Sequence, residues 1–141
     1  MIKKMIGRLS DLFRSRVYRR VLWARFLDYL IRSFNPNVKY LGLADGEGLI
    51  LLSTGESVVT PYALAEDGFQ KNDINRALEI ARKHSCKLEG TFLDVGAHIG
   101  TSAIYAIKSG KFNKAFCFEP VPKNIAHLEM NIKLNHLEDK I

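Results

Sequence analysis

The chain has 141 residues, 47% of them apolar and 26% charged, which fits one globular domain with a core and excludes a disordered or low-complexity protein. Its net charge of +6 is not spread evenly. Residues 1–34 hold nine Lys/Arg against Asp11 and Asp28 (+7), and the other 107 residues hold twelve basic and thirteen acidic groups (−1), so the charge does not mark the whole protein as a nucleic-acid binder.

Residues 1–34 form a basic segment of helical period. Ile2, Met5, Ile6, Leu9, Leu12 and Phe13 recur at three and four, with Ser10-Asp11 as a break and cap. Val17, Val21, Ala24, Leu27 and Ile31 continue a stripe that Tyr18, Leu22, Phe26 and Leu30 widen, and basic residues crowd the other face around Arg14–Arg20. Two roles fit: peripheral contact with an anionic membrane surface, or packing on the domain with a solvated basic face. The longest uncharged apolar run here is Val21–Ala24, far short of a signal or spanning core.

Asn35-Pro36-Asn37 ends the helical region. Residues 35–71 read as a β-hairpin and loop: Val38–Ala44 and Leu49–Ser53 flank Asp45-Gly46-Glu47-Gly48, Val58–Thr60 adds a short strand, and Tyr62–Lys71 is a loop. Asn72 or Asp73 then caps a helix to about His84, with Ile74, Ala77, Leu78 and Ala81 as its buried face. His84 is a solvated helix-end residue.

From Gly90 the pattern sharpens. Thr91–Val95 is a short apolar run between glycines, and from Ile99 the period changes, with Ile99, Ala103, Ala106 and Ile107 on one helical face up to Ser109-Gly110. Ala115–Phe118 is again strand-like and ends at Glu119-Pro120; Pro122 opens a helix with Ile125, Leu128 and Ile132 on one side. Strand, glycine turn, helix, strand is the start of a Rossmann-like α/β fold, in which ligands bind outside the carboxyl ends of the strands. Residues 72–141 are therefore the predicted ligand-binding domain. Its candidate cofactor-binding residues are Asp94, Gly96, Ala97, His98, Gly100 and Glu119.

The residue types narrow the ligand. Gly96 allows a sharp turn and close approach to the backbone, Gly100 allows close packing at the helix start, and the helix N-terminus suits a carboxylate or phosphate. Asp94 suits an ammonium group, and Glu119, 23 residues after Gly96, suits the hydroxyls of a ribose. A dinucleotide site wants a glycine where His98 stands, and an acid at the first strand tip repels phosphate. S-adenosylmethionine brings an ammonium, a carboxylate and a ribose but no phosphate, and matches better than NAD. His98 reads as a packed or hydrogen-bonded loop residue. Cys86 and Cys117 show no metal-ligand spacing, so no metal is expected. Cys117 reads as a packed thiol, which fits a reducing cytoplasm.

Phe92-Leu-Asp-Val-Gly-Ala-His-Ile-Gly-Thr-Ser, Ala115-Phe-Cys-Phe-Glu-Pro-Val-Pro-Lys-Asn and Asn131-Ile-Lys-Leu-Asn135 resemble the FkbM-type S-adenosylmethionine-dependent methyltransferases. The likeness covers about Thr91–Asn135. It implies a class I methyltransferase fold and O-methylation of a sugar, glycan or natural-product hydroxyl, with cofactor roles at Asp94, Gly96, Gly100 and Glu119. His98 stands where asparagine is most usual in that family. The resemblance also implies further strands beyond Ile141 carrying the acceptor pocket and any general base. The chain is thus expected to be the N-terminal part of a longer enzyme, with no catalytic residue among its own. The alternatives are a non-catalytic module that binds a partner or membrane through residues 1–34, and an NAD-dependent enzyme.

Overall fold

A computed structural model describes residues 16–44, 48–55, 59–65 and 70–141. It is a mixed α/β protein with two small sheets, in the order α1 (Arg16–Phe34), β1 (Tyr40–Ala44), β2 (Leu49–Ser53), α2 (Val59–Ala65), α3 (Lys71–Lys83), β3 (Thr91–Val95), α4 (Thr101–Lys108), β4 (Lys114–Phe118) and α5 (Pro122–Leu134). The expected stripe from Ile2 to Phe13, the break at Ser10-Asp11 and the turn residues Asp45–Glu47 lie outside the described residues. The chain divides into two compact units, Met1–Leu41 with Leu52–Asp67, and Gly42–Leu51 with Gly68–Ile141.

In the first unit α1 packs on α2, burying Val21 and Ala24 with Ala65 and the partly buried Leu64. The buried side is narrower than the sequence stripe: Leu22, Phe26 and Leu27 stay exposed, and Asp28 is buried in their place. Asp28 is tolerated there because both its oxygens accept the Gly55 N–H (3.1 and 3.2 Å) and Oδ2 meets Arg32 Nε at 3.2 Å. One expectation fails here. Val59–Thr60 and Tyr62–Ala65 are not strand and loop but the helix α2. Pro61 suits a first helical turn, where no N–H bond is lost, Thr60 Oγ1 ties that turn to Ser53 O at 2.6 Å, and Ala63 and Ala65 are buried. Tertiary burial overrides the β-branched pair.

The second unit carries the parallel pair β3–β4, in register from Thr91↔Lys114 to Val95↔Phe118. The helix α4 between them is buried nearly all round, through Thr101, Ala103, Ile104, Tyr105, Ala106 and Ile107. Alternation on the strands gives the sheet two unlike faces. Ala115 is buried and Phe92, Asp94 and Cys117 are partly buried on one, whereas Leu93, Val95, Phe116 and Phe118 are exposed on the other. The N–H of Ala115 donates to Lys140 O at 2.7 Å.

α5 begins with Pro122 in its first turn as expected, and Leu128 and Ile132 are buried, but Ile125 is exposed. The helix also buries two polar residues, His127 and Asn131. α3 is a surface helix with no fully buried residue, and Ala77 is exposed rather than part of a buried face. Its N-cap is Gln70, in a left-handed conformation, and neither Asn72 nor Asp73.

Candidate functional site

The turn from Gly96 to Gly100 is latched to the end of β4 by its own backbone. Gly96 N–H and Ala97 N–H both donate to Phe118 O (2.8 and 3.1 Å), and Gly100 N–H closes on Ala97 O at 2.7 Å. His98 N–H donates to Glu119 Oε2 at 2.9 Å. The strand-tip acid and the glycine turn are thus in direct contact, and the amides of Gly96, Ala97, His98 and Gly100 are all engaged within the protein. This is where the expected role of His98 gains its physical content. Its φ is +51°, a left-handed conformation that histidine and asparagine adopt more readily than most residues, and that conformation lets its N–H serve Glu119.

Glu119 is held by two further donors, Val121 N–H to Oε1 (3.0 Å) and Asn124 Nδ2 to Oε1 (3.1 Å). The Val121 N–H first, then Asn124 and His98, hold its carboxyl below the usual glutamate range. The result is a fixed, ionised, solvent-facing carboxylate with acceptor capacity to spare. Asn124 escaped the sequence reading as a site residue, although an asparagine in the first turn after Pro122 is a recognisable position.

Asp94 takes a different place. It lies on the partly covered face of β3, opposite Cys117 in register, and accepts the N–H of Ala103 in the first turn of α4. It therefore caps α4 from the neighbouring strand, which the helix needs because its own N-cap, Gly100, has no side chain. Its Oδ2 is buried without a hydrogen-bond partner. Burial raises the Asp94 pKa, only partly offset by the Ala103 N–H. A cation would relieve that cost. At the same helix start Gln70 Oε1 accepts from Thr101 Oγ1 and from Ser102 Oγ (3.3 Å). Gln70 lies in a stretch read as loop, and nothing in the sequence marked it.

The two glycines do different work. Gly100 has φ +84° and is the N-cap rather than part of the first turn, and an added Cβ would lie 3.0 Å from Leu128 Cγ. Gly96 has φ +83° with nothing within 4 Å of an added Cβ. Gly96→Ala is accordingly expected to cost about 1–2 kcal/mol from the left-handed backbone alone. Gly100→Ala should cost about 2–3 kcal/mol, because crowding of Leu128 is added. Urea unfolding of both variants measures the difference. The open space at Gly96 is the part of the turn that a ligand can approach.

Cys117 stands beside this site but is chemically quiet. Burial, then the charge of Asp94, push its thiol up to about 11, so roughly one molecule in a thousand is ionised there at pH 8. Iodoacetamide at that pH should modify exposed Cys86 and leave Cys117 intact until urea unfolds the chain. Among the described residues no group of His, Cys, Asp and Glu could hold a metal ion.

Comparisons with protein-family models, with curated proteins and with solved structures find no match to this chain.

Proposed function

We propose that residues 72–141 are the cofactor-binding part of an S-adenosylmethionine-dependent O-methyltransferase of the FkbM type, with a Rossmann-like class I fold. One observation carries the choice of ligand. The amides of Gly96, Ala97, His98 and Gly100 are spent on Phe118 O, Glu119 and Ala97 O, so these turn residues offer a pyrophosphate no free N–H group. S-adenosylmethionine carries no pyrophosphate, and the N-terminus of α4 is left for its carboxylate. Its ribose hydroxyls suit the fixed carboxylate of Glu119, and its ammonium suits the buried, unsatisfied Oδ2 of Asp94. The NAD reading leaves its phosphates without donors from Gly96–His98 and gives no reason for Asp94.

When bound, the cofactor supplies a methyl group carried on a sulfonium. The residues on this chain do the holding: Glu119 orients the ribose, Asp94 neutralises the ammonium, and open Gly96 admits the ligand to the turn. Such positioning is a large part of the rate in a direct transfer, which needs an aligned sulfur, carbon and acceptor oxygen. No residue here is assigned to proton removal from the acceptor. The proposed domain is larger than this part. The exposed face of Leu93, Val95, Phe116 and Phe118 is the kind of surface that further layers of an α/β fold cover, and the acceptor pocket is assigned to those layers. A reducing cytoplasm agrees with two free cysteines.

Calorimetric titration tests the reading. Micromolar binding of S-adenosylmethionine, with weaker or no binding of NADH, is expected. Tighter binding of NADH, or no heat with S-adenosylmethionine from a chain shown to be folded by circular dichroism, would overturn it.

A further inference from the structure

Helix α1 has a second apolar side that is exposed. Val21 and Ala24 face Leu64 and Ala65, yet Leu22, Phe26 and Leu27 are 37%, 49% and 49% exposed and Trp23 is 70% exposed. At 3.6 residues per turn these four lie away from the Val21–Ala24–Asp28 line. Trp23 and Phe26 already meet edge to face, with ring centroids 5.8 Å apart, so the patch is partly ordered before anything binds it.

The charge around the patch has one sign. α1 carries Arg16, Arg19, Arg20, Arg25 and Arg32 against Asp28 alone, a net +4. Asp28 is buried, with its oxygens on Gly55 N–H and Arg32, so it does not offset the exposed Arg19 and Arg20. No helix among the described residues is long and apolar enough to cross a membrane.

We propose that α1 lies on the surface of an anionic phospholipid bilayer, with Trp23, Phe26, Leu22 and Leu27 at the headgroup–acyl boundary and Arg19 and Arg20 on the lipid phosphates. Both halves of the surface are then used. A nucleic acid would engage the arginines but leave the leucines and Phe26 in water, and an apolar protein groove would leave the arginines unmatched. Aromatic rings at the interface and arginine side chains reaching back to the headgroups are the physical signature of such helices. This inference rests on α1 alone and is independent of the methyltransferase reading.

The chain contains a single tryptophan, Trp23, so its fluorescence reports on this helix only. Adding vesicles of mixed phosphatidylglycerol and phosphatidylcholine to the full chain should shift its emission to the blue and shield it from acrylamide, and 1 M salt should reverse both. The double variant Arg19→Gln, Arg20→Gln should weaken partitioning about thirtyfold, at roughly fivefold per arginine. Leu22→Ser with Phe26→Ser should abolish the shift, and because both side chains are exposed the far-ultraviolet circular dichroism should be unchanged. Absence of a shift with anionic vesicles, or an equal shift with pure phosphatidylcholine, would overturn the proposal. So would emission already blue and shielded without lipid, or binding to duplex DNA that survives the Leu22 and Phe26 changes.

Discussion

Asn131→Ala is expected to cost about 3–5 kcal/mol, a large share of the stability of a domain of this size. Asn131 is fully buried on α5 and accepts the N–H of Leu51 at 2.7 Å while donating to Ile99 O at 2.9 Å. One turn later Asn135 repeats the device, accepting Leu49 N–H at 3.2 Å and donating to Leu49 O at 2.8 Å. The two side-chain amides thus act as a substitute strand for β2 within the second unit, and Asn131 also holds the carbonyl just ahead of Gly100. Truncation leaves the buried Ile99 O and the half-buried Leu51 N–H without partners, at about 1–3 kcal/mol each, besides a cavity. Asn131→Asp should be as harmful, because a carboxylate cannot donate to Ile99 O. Asn135→Ala, at a half-buried position, should cost only about 1 kcal/mol. Urea midpoints of the three variants read these costs directly, and equal midpoints for the two alanine variants would contradict the assignment.

Glu119→Ala is expected to weaken S-adenosylmethionine about tenfold to a hundredfold. A ribose hydroxyl on the acceptor site that Val121, Asn124 and His98 leave open makes a charge-assisted bond of about 1.5–3 kcal/mol. The pH dependence separates Glu119 from Asp94. The Val121, Asn124 and His98 donors keep Glu119 ionised below the ordinary glutamate range, whereas burial makes Asp94 take up a proton above its ordinary value of 3.8. As pH falls, Asp94 takes up its proton above the ordinary aspartate value, its attraction for an ammonium is lost, and affinity drops. Asp94→Asn should remove that acid limb and weaken binding at neutral pH about tenfold. Its effect on stability has the opposite sign. A raised carboxyl pKa in the folded state means that stability is greatest below 3.8 and is lost as pH rises through the folded value. The asparagine variant, which keeps an acceptor for Ala103 N–H, should therefore be more stable than the parent at neutral pH. Lower affinity with higher stability is the expected pair.

The stretch from Thr91 to Pro122 was legible because its boundaries have local causes, glycines where φ is positive and a proline in the first turn of α5, although the helix expected from Ile99 starts only at Thr101. α2 was not, since Val59-Thr60 has strand propensity and only burial of Ala63 and Ala65 makes it helical. The apolar stripe of α1 was legible as a helix but not as to side, because apolar residues occur on two faces and a buried Asp28 marks the one that packs. At the site, types and spacing pointed to Asp94, Gly96 and Glu119. Sequence could not show that Asp94 caps α4, that the His98 backbone N–H reaches Glu119, or that Gln70 reaches Thr101. Those depend on which atoms a left-handed turn and a parallel pair bring within bonding distance.

Amide chemical shifts during a titration with S-adenosylmethionine test the central claim residue by residue. The largest changes are expected at Gly96, Ala97, His98 and Glu119, with none at α3, and Glu119→Ala should suppress them. Shifts that fall elsewhere, or that appear equally with NADH, would contradict the assignment of this turn to S-adenosylmethionine.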